Sequence, residues 1–219
     1  MKMKMCGKPE DPQSGNHTQK LKGKLLSSVV VSIFLAGFLA SANASILSYY
    51  VVLDGPSESP SNGSLGTGTG EVDYDNVAHT LFVGVSFSGL TGNTSASHIH
   101  APTTNALSGT AVVATTTPTF AGFPLGVKSG TYTNTLDLTL SSSYNPAFVS
   151  ANGGTTASAE IALTTAIADG KAYWNIHSSS FPGGEIRGFI LPVPEPSSLA
   201  LIGLGGWTLA WRMRNRKSF

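Results

Sequence analysis

Hydrophobic and polar residues alternate through the central part of the chain, and short stretches rich in Gly, Asn, Asp and Ser separate the alternating segments. A period of two is typical of β-strands that bury one face and expose the other. The alternation predicts eight strands, at residues 47–53, 71–74, 80–88, 96–100, 110–114, 131–140, 171–177 and 185–191.

Two local signals add detail to this pattern. Asp75 and Asn76 predict a hairpin turn between the second and third strands. Residues 160–168 have the composition of a short helix, and Asp169 and Gly170 supply its end.

The central region has the size of one domain. Residues 45–192 form a single continuous stretch of this strand-and-turn pattern. Its loops at 57–70 and 115–130 are rich in Gly, Ser, Thr and Pro, and we expect them to be mobile. Strands at this spacing predict the all-β class, as an antiparallel β-sandwich or barrel-like single domain.

The N-terminal end has the order of a signal peptide. Lysines at 20–24 precede an uncharged apolar stretch at 25–40, and Ala42 and Ala44 follow as small residues for signal peptidase. The alternative is an uncleaved membrane anchor, for which this stretch is short compared with the ~20 residues of a span. We therefore predict a signal peptide with an extended n-region at residues 1–44, forming a helix before its removal.

The C-terminal end carries a second targeting pattern. Pro194, Glu195 and Pro196 precede an apolar stretch at 199–211 and a terminal cluster of Arg and Lys, which predicts a transmembrane helix with a cytoplasmic end. This segment, residues 193–219, resembles the PEP-CTERM sorting signal of Gram-negative bacteria. The resemblance implies export through the inner membrane, transient anchoring there, processing by an exosortase, and delivery to the cell surface or the extracellular matrix. The alternative is an ordinary C-terminal membrane anchor.

The distribution of charged residues supports a division of the chain into three segments. The 219 residues carry 13 Lys and Arg against 12 Asp and Glu, but residues 45–193 hold three basic and nine acidic residues, a net charge of −6. Such a domain lacks the basic surface that neutralises phosphates, which argues against a nucleic-acid binder. The one cysteine, Cys6, lies in the predicted signal peptide, so we expect neither disulfide nor thiol chemistry in the mature protein.

Three histidines are the candidates for chemistry. His98 and His100 lie two residues apart on a predicted strand, so both rings point to one face, and His177 shares a face with Asn175 on a later strand. This arrangement predicts a Zn or Cu site, with Glu185 as a further candidate ligand. The competing interpretation is a buried polar network in which the histidines pair with Asn175, Glu185 or the backbone.

The remaining polar residues favour structural roles. Glu185 and Arg187 follow a Gly-Gly turn on one face of the last strand, and an acid/base role would need a second carboxylate or a cleft. We therefore predict that they form a strand-end ion pair and that, with Asn175, they belong to a structural network. His79 has no companion in the sequence and is expected at the surface.

The same residues, in their order and spacing, resemble the CHRD domain, which is named from chordin and occurs in bacterial secreted proteins. The resemblance spans roughly residues 47–191, although 103–158 departs into a Thr/Ser/Gly-rich sequence. It implies a β-sandwich-like secreted module, and no general catalytic activity comes with it. The matching motifs are Leu53-Asp54-Gly55, Glu58-Ser59-Pro60, Gly89-Leu90-Thr91-Gly92, His98-Ile99-His100-Ala101-Pro102, Gly170-Lys171-Ala172-Tyr173-Trp174-Asn175-Ile176-His177 and Gly183-Gly184-Glu185-Ile186-Arg187-Gly188.

These observations predict an exported, surface-sorted protein with a non-catalytic structural or adhesive role at the cell surface or in the exopolysaccharide matrix. Its expected partners are signal peptidase and exosortase as processing enzymes, the membrane through the C-terminal helix, and an exopolysaccharide or surface protein. The alternative is a metal-binding module or metal-dependent enzyme that uses His98, His100 and His177. No cofactor is predicted beyond the candidate Zn or Cu.

Overall fold

A computed structural model describes residues 46–194 of the chain. Eight strands pair in antiparallel fashion into one sheet, which curls into a half-barrel with few helices. The all-β prediction is confirmed. The strands are β1 (Ile46–Asp54), β2 (Thr67–Asp75), β3 (Thr80–Ser88), β4 (Thr94–His100), β5 (Gly130–Asp137), β6 (Tyr173–Ser178), β7 (Ile186–Phe189) and β8 (Leu191–Pro192).

The strand order is β4-β6-β7-β1-β2-β3-β5, and β8 also pairs with β1. Arg187 of β7 lies opposite Asp54, and Pro192 of β8 lies opposite Tyr49, so both short strands follow β1 in one register. They are two parts of a single interrupted strand. Within β7, Gly188 approaches the Val52 carbonyl so closely that a Cβ would clash with the backbone there.

One face of the curled sheet and two helices enclose the hydrophobic core. The helices are α1 (Pro146–Ala151) and α2 (Thr156–Ala168). A capping box between Thr155 and Ser158 starts α2, whereas the Asn145 side chain caps α1. The largest fully buried side chains include Trp174, Phe120, Phe148, Leu53, Leu81, Ile99, Leu138 and Leu163.

One predicted turn is present in the structure, whereas two other predicted elements differ. The hairpin turn at Asp75 is present between β2 and β3, where the Asp75 carboxylate accepts bonds from the Val77 and Ala78 amides. The predicted strand 110–114 is not a strand, because this segment makes only scattered backbone bonds beside the end of β4. The predicted loop 57–70 ends early, because Thr67–Gly70 pair with β1 as the start of β2.

The helical content was underpredicted. Helix α2 begins at Thr156, four residues before the predicted start, because Ser158 completes a capping box usually made by Glu or Gln. Helix α1 was not predicted, since its six residues are too few to give a helical period.

Among residues 46–194, no helix is both long and apolar enough to cross a membrane. The predicted signal peptide with Ala42 and Ala44, and the predicted C-terminal helix with Glu195 and Pro196, lie outside the described residues.

Candidate metal-binding site

Two neighbouring strands place three histidines on one face of the sheet. In the β4–β6 ladder, His98 lies opposite Asn175 and His100 lies opposite Tyr173. Directly opposed residues of an antiparallel pair point to the same side, and residues two apart share a face. His177, two residues beyond Asn175, therefore joins His98 and His100, as the alternation predicted.

Backbone carbonyls of nearby loops orient the three rings. The Nδ1 atoms of His98, His100 and His177 lie 3.1, 2.8 and 2.9 Å from the carbonyl oxygens of Pro118, Ala111 and Pro182, respectively. A carbonyl only accepts hydrogen bonds, so each Nδ1 carries the proton and donates it. In the neutral ring, each Nε2 is then left with a lone pair and no hydrogen.

Ring nitrogens of the three histidines lie close together. The Nε2 atoms of His98 and His177 are 2.9 Å apart. The Nε2 of His100 is buried and has no hydrogen-bond partner among the described residues. One nitrogen from each of the three rings lies within 4.8 Å of the others. Small side-chain movements would place one nitrogen of each ring at the ~2.0–2.1 Å Zn–N bond length from one shared ion.

Burial keeps these rings neutral. Burial, with the nearby His100 and His177, lowers the pKa of His98 to about 3. It also lowers the pKa of His100 to about 4, despite the hydrogen bond to Ala111, and the pKa of His177 falls below its usual value for the same reason. At neutral pH two lone pairs therefore face each other across 2.9 Å, which is repulsive unless a cation lies between them.

An aromatic ring and a guanidinium support His100 from behind. The Tyr173 ring stacks on the imidazole of His100 with centroids 4.7 Å apart and an angle of 7° between the planes. The Cζ atom of the Arg187 guanidinium lies 4.7 Å from the centroid of the Tyr173 ring. Cation–π contact and stacking thus fix the orientation of His100 through Tyr173.

The predicted polar network has different partners in the structure. Arg187 does not pair with Glu185, and its nearest carboxylate is Glu58, at 3.9 Å from Nε to Oε2. Arg187 also donates to the carbonyls of Ser57 and Gly109. The predicted strand-end ion pair is therefore wrong, because the loop after β1 brings Glu58 over the same face.

Glu58 and Asn175 form a second polar contact region beside the histidines. Glu58 Oε1 and Asn175 Oδ1 are both buried without a partner among the described residues. Burial raises the pKa of Glu58 to about 7, although Arg187 opposes the shift. Both side chains lie over Gly184, where an added Cβ would come within 2.5 Å of Glu58 Oε1 and 2.8 Å of Asn175 Oδ1.

Glu185 lies away from the histidine cluster. Its carboxylate accepts from the Ser64 hydroxyl at 2.7 Å, the Thr91 amide, and the Gly92 amide at 3.2 Å. Burial acts to raise its pKa, but hydrogen bonds from Ser178, Ser64 and these amides hold it below the usual value. The structure thus places Glu185 in a structural role and not among the candidate ligands.

One polar contact was not predicted from the sequence. His79, expected at the surface without a companion, is half exposed, and its Nδ1 lies 2.9 Å from Glu160 Oε1. Glu160 is buried and also accepts from the Tyr74 hydroxyl at 2.7 Å. Glu160 follows His79 by 81 positions, so no local spacing could have revealed the pair.

The fold and the site together define an all-β module with a cluster of three neutral histidines under two loops. Comparison with known families gives this class its name: the CHRD domain family matches residues 49–190, and the chain belongs to it. The PEP-CTERM protein-sorting motif matches residues 192–217, which implies export and membrane-associated sorting. No curated protein and no solved structure matches the chain.

Proposed function

We propose that the CHRD domain of this exported protein binds one transition-metal ion through Nε2 of His98, His100 and His177. The observation that carries the proposal is the 2.9 Å separation of two Nε2 atoms whose Nδ1 atoms both donate to carbonyls. A metal ion converts this repulsion into two coordinate bonds. Hydrogen bonding of the other ring nitrogen to a carbonyl is the usual support of a metal-ligating histidine.

Imidazole ligands suit both Zn and Cu, and the geometry bears on the choice between them. With metal–nitrogen bonds of ~2.05 Å, a 2.9 Å separation corresponds to an angle of about 90°, whereas a tetrahedral angle needs about 3.3 Å. The right angle is that of tetragonal Cu(II), and an opening of about 0.4 Å accommodates tetrahedral Zn. Three protein ligands leave a further position for water or an exogenous ligand.

We infer a binding or structural role and not catalysis. Of the buried carboxylates on this side of the domain, Glu185 accepts hydrogen bonds from Ser64 and two amides, and Glu58 lies 3.9 Å from Arg187. Neither carboxylate forms a hydrogen bond with any of the three histidine rings. A structural or adhesive component of the cell surface or exopolysaccharide matrix, with a bound metal, agrees with the family and with the sorting motif.

Metal analysis of the purified full-length protein tests the binding proposal. After loading with Zn(II) or Cu(II) and removal of free metal, we expect one ion per chain in the wild type. A variant with His98, His100 and His177 all replaced by Ala should retain far less than one. The proposal is wrong if the wild type holds substoichiometric amounts of both metals, or if the triple variant holds as much.

The sorting role is tested separately with a chain that ends at Pro194. This truncation keeps the described domain, including the bond from the Val193 amide to the Ser48 carbonyl. We expect loss of membrane association and of tail processing in cells, with unchanged metal content. Unchanged surface association would contradict the proposed function of the tail.

A further inference from the structure

The last strand carries the chain out of the domain beside the start of β1. Leu191 and Pro192 pair with Tyr50 and Tyr49, and the Val193 amide donates to the Ser48 carbonyl at 3.0 Å. In the same register, Pro194 lies beside Leu47. The sorting tail therefore leaves the domain at the end where β1 begins.

Exposed aliphatic side chains surround this exit. Ile46, Leu47 and Val193 are 43–58% exposed, and Val77 is 65% exposed in the hairpin that follows Asp75, the partner of Ile46. We call these four residues, Ile46, Leu47, Val77 and Val193, the tail-side patch. Exposed aliphatic residues clustered at one end of a domain mark an interaction surface more often than scattered single ones do.

The length of the chain beyond the patch limits what can cover it. Residues 195–198 separate Pro194 from the apolar stretch of the tail at 199–211. Five Cα steps reach at most about 18 Å when fully extended. The headgroup region on each side of a bilayer takes up about 5–8 Å of this distance. The tether therefore leaves the patch little more than 10 Å from the lipid surface while the apolar stretch is in the membrane.

We infer that the tail-side patch rests on the lipid headgroups of the bilayer that holds the tail, before the tail is removed. The acidic partners of β1 at this end are Asp73, opposite Ser48, and Asp75, opposite Ile46. Since these charges repel anionic lipid, the surface that fits the patch is zwitterionic, and its attraction is apolar and not ionic.

This placement holds the three-histidine site away from the membrane. His98, Asn175, Arg187 and Asp54 lie in one row across four neighbouring strands. Seven positions along β1 separate Asp54 from Leu47, which is about 23 Å at ~3.3 Å per residue. The tethered domain thus presents its candidate metal site to the space outside the membrane, where soluble metal and matrix partners are.

Site-directed fluorescence tests this orientation, because Cys6 is the one cysteine of the chain. A full-length Cys6→Ser protein carrying Leu47→Cys or Val77→Cys is labelled with an environment-sensitive dye and placed in phosphatidylcholine vesicles with headgroup nitroxide lipid. Gly183→Cys is the matched control, since a side chain at this exposed turn near His177 meets open space.

We expect nitroxide lipid to quench the dye at positions 47 and 77 at least about 3-fold more strongly than at position 183. Equal quenching at all three positions would overturn the inference. So would a dye at position 47 that is shielded from water but insensitive to nitroxide lipid, because a second copy or another protein would then cover the patch. Two labelled positions, one in β1 and one in the β2–β3 turn, keep the test valid if one variant misfolds.

Discussion

Buried or half-buried histidines occur in two regions of the described domain, and their neighbours differ in kind. His79 faces a carboxylate, that of Glu160, which also accepts from the Tyr74 hydroxyl. His98, His100 and His177 face one another, and the nearest buried carboxylates belong to other contacts. The first region contains the donors and acceptors it needs, whereas the second contains lone pairs without a donor.

This difference separates a structural histidine from a candidate ligand. The Glu160 contacts join α2 to the β2–β3 hairpin, and they remain complete without any further group. In the three-histidine site, the loops use every Nδ1 proton and leave the Nε2 atoms for a cation. Counting hydrogen-bond donors and acceptors thus distinguishes a structural histidine from a candidate metal ligand.

The largest expected effect is on metal affinity. We predict that His98→Ala weakens Zn(II) or Cu(II) binding by more than about 100-fold, because a lost ligand costs more than the ~10–100-fold of a lost supporting contact. His79→Ala is the control and should bind metal like the wild type. Competition titration with a chromogenic chelator measures both. Equal losses in the two variants would remove the distinction between the regions.

The second effect concerns stability in the region of Glu160. Glu160→Ala should lower the free energy of unfolding by about 1–3 kcal/mol, because the Tyr74 hydroxyl loses its acceptor in a partly buried position. Urea denaturation measures this change, and Glu160→Gln, which keeps an acceptor, should lose less. Metal affinity should not change in either variant. A parallel loss of metal binding would mean that the two regions are coupled.

The third effect concerns the support of His100. Tyr173→Ala should reduce metal affinity by about 10-fold, since His100 loses its stacking partner, whereas Tyr173→Phe keeps the ring and should change affinity little. The same chelator competition compares the two. If Phe and Ala weakened binding equally, the hydroxyl contact with the Ala111 backbone would be the important one and stacking would not.

The most gradual effect is on the pH dependence of stability without metal. His98 and His100 have folded-state pKa values of about 3 and 4, below the unfolded value near 6.5. Their neutral burial therefore contributes full stability above about pH 6.5, and this contribution is lost as the pH falls toward 4, because the unfolded chain binds the protons first.

Urea midpoints between pH 7 and pH 4 measure this loss. A variant with both His98 and His100 replaced by Phe should show a flatter profile, since it removes both titrating rings. An unchanged slope in the double variant would mean that other groups control the acid sensitivity.

The sequence predicted what depends on local periodicity. Alternation placed His98 and His100 on one face and His177 beside Asn175, and the strands adopt those faces. The contacts that depend on distant loops were not predictable. Glu58 reaches Arg187 from 129 positions away, and the carbonyls of Ala111 and Pro118 come from a segment expected to include a strand. Neither contact produces a pattern of residue spacing in the sequence, because both contacts depend on the conformation of a distant loop.

X-ray absorption spectroscopy of the metal-loaded full-length protein tests the central claim most directly. We predict about three nitrogen neighbours at ~2.0–2.1 Å for Zn(II), with the outer-shell scattering of imidazole rings, and loss of this pattern in the His98→Ala variant. A first shell of oxygen atoms without imidazole scattering, or an identical spectrum from the variant, would contradict a metal site formed by His98, His100 and His177.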